Sequence, residues 1–111
     1  MKNLLLSIGF ALSLISCKSL PEISPKDGAI VVQSKQNITL WNDDHRSFNV
    51  ILQNKNTKNS CEVYTVKHGV KKWISPSLLA NKSLDFVVSS NSSVLIENFS
   101  DENVEITYTV K

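Results

Sequence analysis

The chain is poor in residues that break or bend a backbone, with 3 glycines and 3 prolines in 111 residues. Collagen-like and Gly/Pro-rich low-complexity classes are excluded by that count alone. Two cysteines are too few for a disulfide-dense scaffold, and the single methionine is the initiator, Met1. Aromatic residues make up only 7% of the chain, so each tryptophan and tyrosine has to be placed. Charge is nearly balanced, 12 basic against 10 acidic side chains. A net +2 is too little to argue for nucleic acid or another strongly charged partner. No apolar run reaches the roughly 20 residues that a membrane-spanning helix needs. At this length one ordinary domain is the expectation, and a multidomain enzyme is ruled out.

The apolar run that does occur lies at the start. Lys2 gives a short positive segment, and Leu4 to Ile15 follow as a mostly apolar stretch, the proportions of a signal-peptide core. It ends in Leu14-Ile15-Ser16-Cys17: a branched apolar residue, a second apolar residue, a small residue, then cysteine. This quartet resembles the bacterial lipobox. The resemblance covers about the first 17 residues and implies a lipoprotein, cleaved before Cys17, whose thiol carries a diacylglycerol and whose new amino group is acylated. Acyl chains contribute roughly 0.8 kcal/mol per buried CH2, so two or three anchor a protein essentially permanently. Lys18, where an Asp would favour inner-membrane retention, leans the expected location towards the outer membrane, on its periplasmic or surface face. The implied partner is the membrane itself, reached through the N-terminal lipid.

With Cys17 lipidated, Cys61 is alone and no intramolecular disulfide is expected. Removing the first 16 residues leaves 95, with 11 basic and 10 acidic side chains. Residues 18–28 read Lys-Ser-Leu-Pro-Glu-Ile-Ser-Pro-Lys-Asp-Gly, in which two prolines and an Asp-Gly turn signal mark a linker. The expected division is a signal peptide over 1–16, a lipidated tether over 17–28, and one domain over 29–111. Extended at about 3.3 Å per residue, the tether reaches at most some 35 to 40 Å.

From Ala29 onward the hydrophobic period is two. Val104-Glu105-Ile106-Thr107-Tyr108-Thr109-Val110 alternates without a fault, and Phe48 to Gln53 nearly so. Further candidate strands are Ala29–Ser34, Ile38–Trp41, Cys61–Lys67, Val70–Ile74, Leu84–Val88 and Val94–Glu97. Short strands at this spacing predict an all-β fold, an immunoglobulin-like antiparallel β-sandwich of 7–8 strands. His68-Gly69 predicts a tight hairpin, with Gly69 free to take positive φ. Ser75-Pro76 predicts one helical turn, with Ser75 as N-cap and Pro76 at the first position.

Residues 37–67 align without gaps on residues 81–111. They are identical at 9 of 31 positions, among them Asn54/Asn98, Asn59/Asn103 and the whole of Tyr64–Lys67 against Tyr108–Lys111. Convergence of two hairpins within one sandwich competes with a true repeat as the explanation. Either way, loops 54–60 and 98–103 should be equivalent. Strand parity places loop 42–46, the hairpin at His68 and turn 89–92 at one end with the tether. Loops 54–60, 75–83 and 98–103 belong at the other end.

Chemistry is sparse. His45, Cys61 and His68 occur in the His–Cys–His order of blue-copper proteins, but no axial Met remains and parity puts Cys61 at the wrong end. Asn42-Asp43-Asp44-His45-Arg46 is the densest ionic cluster, yet it lacks the oxygen-rich spacing of a calcium loop. Gly-x-Ser-x-Gly and phosphate loops cannot be built with only Gly28 and Gly69 in the expected mature chain. No metal, no cofactor and no catalytic residue is expected, and the chain is read as a non-enzyme.

Binding or scaffolding is the class that remains, towards an envelope protein or a glycan and not a nucleic acid. The candidate contacts are the membrane-distal Asn54, Asn59, Asn98 and Asn103, together with Trp41 and Trp73, which could stack on sugar rings or anchor a protein interface. Two alternatives stand beside it, a cell-surface carbohydrate-binding module and a small inhibitor or immunity-type lipoprotein. Lys67, Lys71 and Lys72 form a basic hairpin expected to face the membrane.

Overall fold

The structure is a computed structural model that describes residues 26–41 and 44–111. The segment read as a signal peptide, Cys17 and most of the segment read as a tether lie outside the described residues, as do Asn42 and Asp43. The protein is all-β, with eight strands in two antiparallel four-stranded sheets. The strands are β1 (Asp27–Val32), β2 (Asn37–Leu40), β3 (Phe48–Asn54), β4 (Glu62–Lys67), β5 (Val70–Trp73), β6 (Ser83–Val88), β7 (Ser93–Glu97) and β8 (Val104–Val110). Each answers to a strand read from the period of two. The alternation is visible in what it buries: Val104, Ile106 and Val110 of β8, Val50 and Leu52 of β3, Val94 and Ile96 of β7 all face the core between the sheets.

The order within the sheets is β1-β8-β3-β6 and β2-β7-β4-β5. Only β4 and β5 are consecutive neighbours; every other connection crosses from one sheet to the other. The sandwich is therefore of the jelly-roll, or double-stranded β-helix, kind and not immunoglobulin-like in connectivity. A period of two assigns residues to faces and leaves open which strands are neighbours, so the finer expectation had no physical support in the pattern.

The repeat has a structural counterpart. Exchanging β1–β4 for β5–β8 turns the first sheet's order into the second's read backwards, so the two halves are related by a pseudo-two-fold that swaps sheets. The alignment is nevertheless one residue out at its end. Val50 of β3 pairs with Val110, whereas Val94 of β7 pairs with Thr65 rather than Val66. Tyr108 consequently packs on the core, while Tyr64 lies on the outer face beneath Lys71. The four-residue identity Tyr64–Lys67/Tyr108–Lys111 joins residues that point in opposite directions.

Two boundaries shift. Asp27 and Gly28, read as the end of the tether, pair with Thr109 and Tyr108 in β1. A Cβ at Gly28 would stand 2.7 Å from the Tyr108 hydroxyl oxygen, so glycine is needed here for close approach of the ring. The predicted helical turn at Ser75-Pro76 is absent. The Ser75–Pro76 peptide is cis, and the segment instead brings Leu78 into a backbone bridge with Cys61. The hairpin is as expected: His68 (φ 53°) and Gly69 (φ 78°) form a two-residue turn with both central φ values positive.

Candidate functional site

The chain enters the sandwich at Lys26, whose carbonyl accepts from the Val110 N–H. The far, or distal, end gathers the four loops around 33–36, 54–61, 74–82 and 98–103. Asn54 and Asn98 organise it from inside. The Asn54 amide donates to the carbonyls of Asn59 (2.9 Å) and Leu78 (3.1 Å), and its oxygen accepts from the Asn56 N–H (2.8 Å). The Asn98 amide contacts the carbonyls of Val32, Gln33 and Glu102 at 2.9, 3.2 and 2.7 Å, and its oxygen accepts from Ser100 N–H and Oγ–H. Both side chains are buried, so no partner reaches them; as direct contacts, Asn54 and Asn98 are corrected to loop scaffolding. Their equivalence across the pseudo-two-fold is real: each binds a backbone N–H two residues on and a carbonyl four or five residues on.

Asn59 and Asn103 act similarly nearer the surface. Asn59 donates to Glu102 (3.0 Å), and Asn103 Oδ1 accepts from the Ser34 N–H (2.9 Å). Ion pairs Lys35–Asp101 (3.2 Å) and Lys58–Glu102 (3.6 Å) tie loops 33–36 and 54–61 to loop 98–103. What projects from this end is Phe99, 63% exposed between the clamped Asn98 and Ser100, with Leu79 also exposed on its own loop. Sequence reasoning assigned Phe99 no role. The signal available was a lone large aromatic inside an otherwise polar Asn/Ser/Asp/Glu loop.

The proximal end is built differently. His45 is buried and lies close to Ser92, with Nε2 2.6 Å from the Ser92 carbonyl and Nδ1 2.8 Å from that of Arg46. Carbonyls only accept, so both contacts are hydrogen bonds when both ring nitrogens carry hydrogen. Trp41 follows β2 in the left-handed region (φ 57°), which turns the indole back over the core. It meets Phe48 and Tyr108 edge to face at 5.1 and 5.3 Å, and His45 meets Phe48 at 5.1 Å. Trp41 is thus partly buried, its ring packed against Phe48 and Tyr108 at this end; parity along β2 could not anticipate a residue that leaves the strand geometry.

At the same end β5 and β6 part to leave a notch of about 340 Å³, lined by Lys67, Val70, Lys72, Ile74, Val87 and several hydroxyls. Loop 44–46, the hairpin and turn 89–92 thus share one end, as parity predicts. The three hairpin lysines separate. Lys67 and Lys72 lie along the notch, while Lys71 turns to the outer face, 4.4 Å from the Tyr64 ring centroid and 3.7 Å from Glu97. Lys71 is therefore removed from the membrane-facing set.

That outer face carries Trp73, half exposed, whose indole N–H donates to Glu62 at 2.8 Å. Glu62 is itself held by Ser77, whose hydroxyl lies 2.8 Å from both carboxylate oxygens. Glu62 and Glu97 are direct cross-strand partners. Burial of the hydroxyl, together with the charges of Glu97 and Glu62 and a hydrogen bond to Glu97, pushes the Tyr64 phenol above its ordinary range. Of the two candidate tryptophans Trp73 is the more exposed.

Cys61 sits in the core at the distal side, with its thiol pushed up to about 11 by burial and then by Glu62. It is held apart from His45 and His68 by the length of the sandwich. Among the described residues no three His, Cys, Asp or Glu side chains lie together as a metal site would require.

No family model matches the chain, and no curated protein matches it in sequence. Solved structures do match in fold. Drosophila melanogaster CENP-C bound to CAL1 is similar with a TM-score of 0.56 at 12% identity, over 79% of this chain and 63% of that one. The D. melanogaster CENP-C cupin domain gives 0.55 at 12%, over 82% and 64%. A pilus structure described as Bacillus endospore appendages gives 0.51 at 13%, over 86% and 94%. The chain spans less than two thirds of the CENP-C chains. At these identities the likeness is one of fold alone, and it agrees with the double-stranded β-helix order of the strands.

Proposed function

We propose that this is a lipid-anchored protein of the bacterial envelope, a non-catalytic binding module that meets a protein partner with its distal end. The single observation that carries the reading is Phe99: a mostly exposed phenylalanine on a loop clamped by Asn98 and Ser100, at the end opposite the chain's entry at Lys26. An exposed aromatic on a pre-ordered loop is what an interface anchor requires, because little ordering entropy is left to lose on binding. The lipobox supplies the anchor and the short tether keeps the domain near its bilayer, more consistently the outer one given Lys18. The CENP-C chain in complex with CAL1 supports the fold's use in protein recognition, without naming a partner for this chain.

Two measurements test the two halves of the reading. Radiolabelled palmitate should enter the intact chain and be lost in Cys17→Ser. A photo-crosslinking residue at position 99 should capture one discrete partner in the native envelope, while the same residue at Val31, exposed on the edge strand β1, captures none. Equal capture at both positions, or at neither, contradicts the distal interface.

A second reading rests on Trp73. Its indole is pinned by Glu62, which Ser77 pins in turn, so an aromatic face and polar groups stand pre-ordered on one sheet surface. That arrangement suits stacking against a sugar ring. Quenching of tryptophan emission by one glycan, abolished in Trp73→Ala and retained in Phe99→Ser, would favour it over the protein partner.

A further inference from the structure

We infer that the β4–β5 hairpin and the notch beside it are a second, non-covalent membrane contact, a docking surface for an anionic lipid bilayer. The inference rests on the lipid-anchor reading for its setting, since the anchor brings the domain to the bilayer. Its geometry is independent of that reading.

Four observations converge on it. Lys67 and Lys72 take part in no ion pair among the described residues, whereas Lys35, Lys58, Lys71 and Lys111 are each paired with a carboxylate. Among the described residues no acidic side chain lines the notch between them. Val70, next to the turn, is 69% exposed, and Val87 on β6 is exposed as well, so two exposed aliphatic residues line the same notch as the two lysines. The hairpin also lies at the end where the chain enters, the Lys26 carbonyl being bonded to the end of β8.

Charge complementarity selects the occupant. Unpaired lysines flanking exposed aliphatic residues match a surface of anionic headgroups over acyl chains, where each lysine adds attraction and each valine gains by leaving water. The two-residue turn at His68-Gly69, with both φ values positive, fixes Val70 beside the tip at the start of β5, so the contact is pre-formed. Lys71 takes no part, because it is engaged with Tyr64 and Glu97 on the opposite face.

The test uses the chain from residue 17 carrying Cys17→Ser, which retains all eight strands and has no lipid of its own. Sedimentation with phosphatidylglycerol-containing vesicles should show binding that weakens as salt rises and is absent with pure phosphatidylcholine. Lys67→Gln with Lys72→Gln should weaken it about tenfold. Lys35→Gln with Lys58→Gln, the same charge change at the distal end, should leave it unaltered, and Val70→Ser should weaken it several-fold. Equal loss in the two double variants, equal binding to both vesicle types, or no binding to either overturns the proposal. Palmitate incorporation into the intact chain reports on the anchor separately, so failure of one reading is distinguishable from failure of the other.

Discussion

The two ends of this sandwich are closed by opposite means. The distal end is tied by polar groups: two buried asparagines, each satisfying backbone groups of its own loop and of a second segment, and ion pairs that draw neighbouring loops onto loop 98–103. The proximal end is sealed by rings, with Trp41, Phe48, Tyr108 and His45 edge to face, and beside them the sheets part at the β5/β6 side. A polar-tied end can hold an apolar residue out in water without collapsing onto it, which is the situation of Phe99. A ring-sealed end with a notch offers an apolar edge beside Lys67 and Lys72, which take part in no ion pair among the described residues, the chemistry proposed above to meet a bilayer. One fold thus carries two surfaces of different chemistry on its two ends.

The largest expected effect falls on the distal tie. Asn98→Leu strips hydrogen bonds from the buried Val32 carbonyl, from the part-buried Gln33 and Glu102 carbonyls and from the Ser100 N–H, and should cost about 3 kcal/mol of unfolding free energy in urea titration. Asn54→Leu should cost a similar amount if the pseudo-two-fold is meaningful in energy as well as geometry; a cost below about 1 kcal/mol for either would break the comparison. At the proximal end His45→Ala should cost about 2 kcal/mol, combining lost ring packing with the carbonyls of Ser92 and Arg46 left bare. Cys61 gives a pH test that neither end should perturb. Its folded thiol, held near 11, keeps its proton while the unfolded thiol loses it above its ordinary 9.0, so stability is full below pH 9 and declines as pH rises towards 11. In Cys61→Ala that decline should be smaller, and at pH 8 alkylation of Cys61 should follow global unfolding only. The smallest effects are at the exposed ion pairs: Lys35→Ala and Lys58→Ala should each cost under about 0.5 kcal/mol. Phe99→Ser should be equally silent in stability while abolishing capture at the distal end.

Most of the fold was legible because alternation is a local property. Val104 to Val110 declares its buried face within seven residues, and parity then sorts the loops into two ends without any knowledge of pairing. Neighbour relations were not legible, since β1 pairs with β8 across the whole chain and no local pattern encodes that partner. The candidate site was read less well for a related reason. Asn54 and Asn98 were visible as matched positions, but an asparagine in a loop looks the same whether it faces a partner or braces the loop from within. Trp41 escaped because one residue with positive φ overrides parity. Lys71 separated from Lys72 for the reason parity does give, two faces of β5, and from Lys67, on the neighbouring β4, for the same reason; the sequence cluster hid it.

The division of labour between the ends can be tested on the lipidated protein itself. In the proposed lipidated form Cys17 would carry lipid and Cys61 is buried, so Val70→Cys or Phe99→Cys would supply the single thiol that a nitroxide reagent can reach at neutral pH. The accessibility of each label to oxygen and to a water-soluble relaxing agent is then measured in anionic vesicles. The account predicts that the label at position 70 becomes shielded from the aqueous agent and exposed to oxygen, as inside lipid, while the label at position 99 stays fully aqueous. A label at position 99 in lipid, or one at position 70 that remains in water, contradicts it.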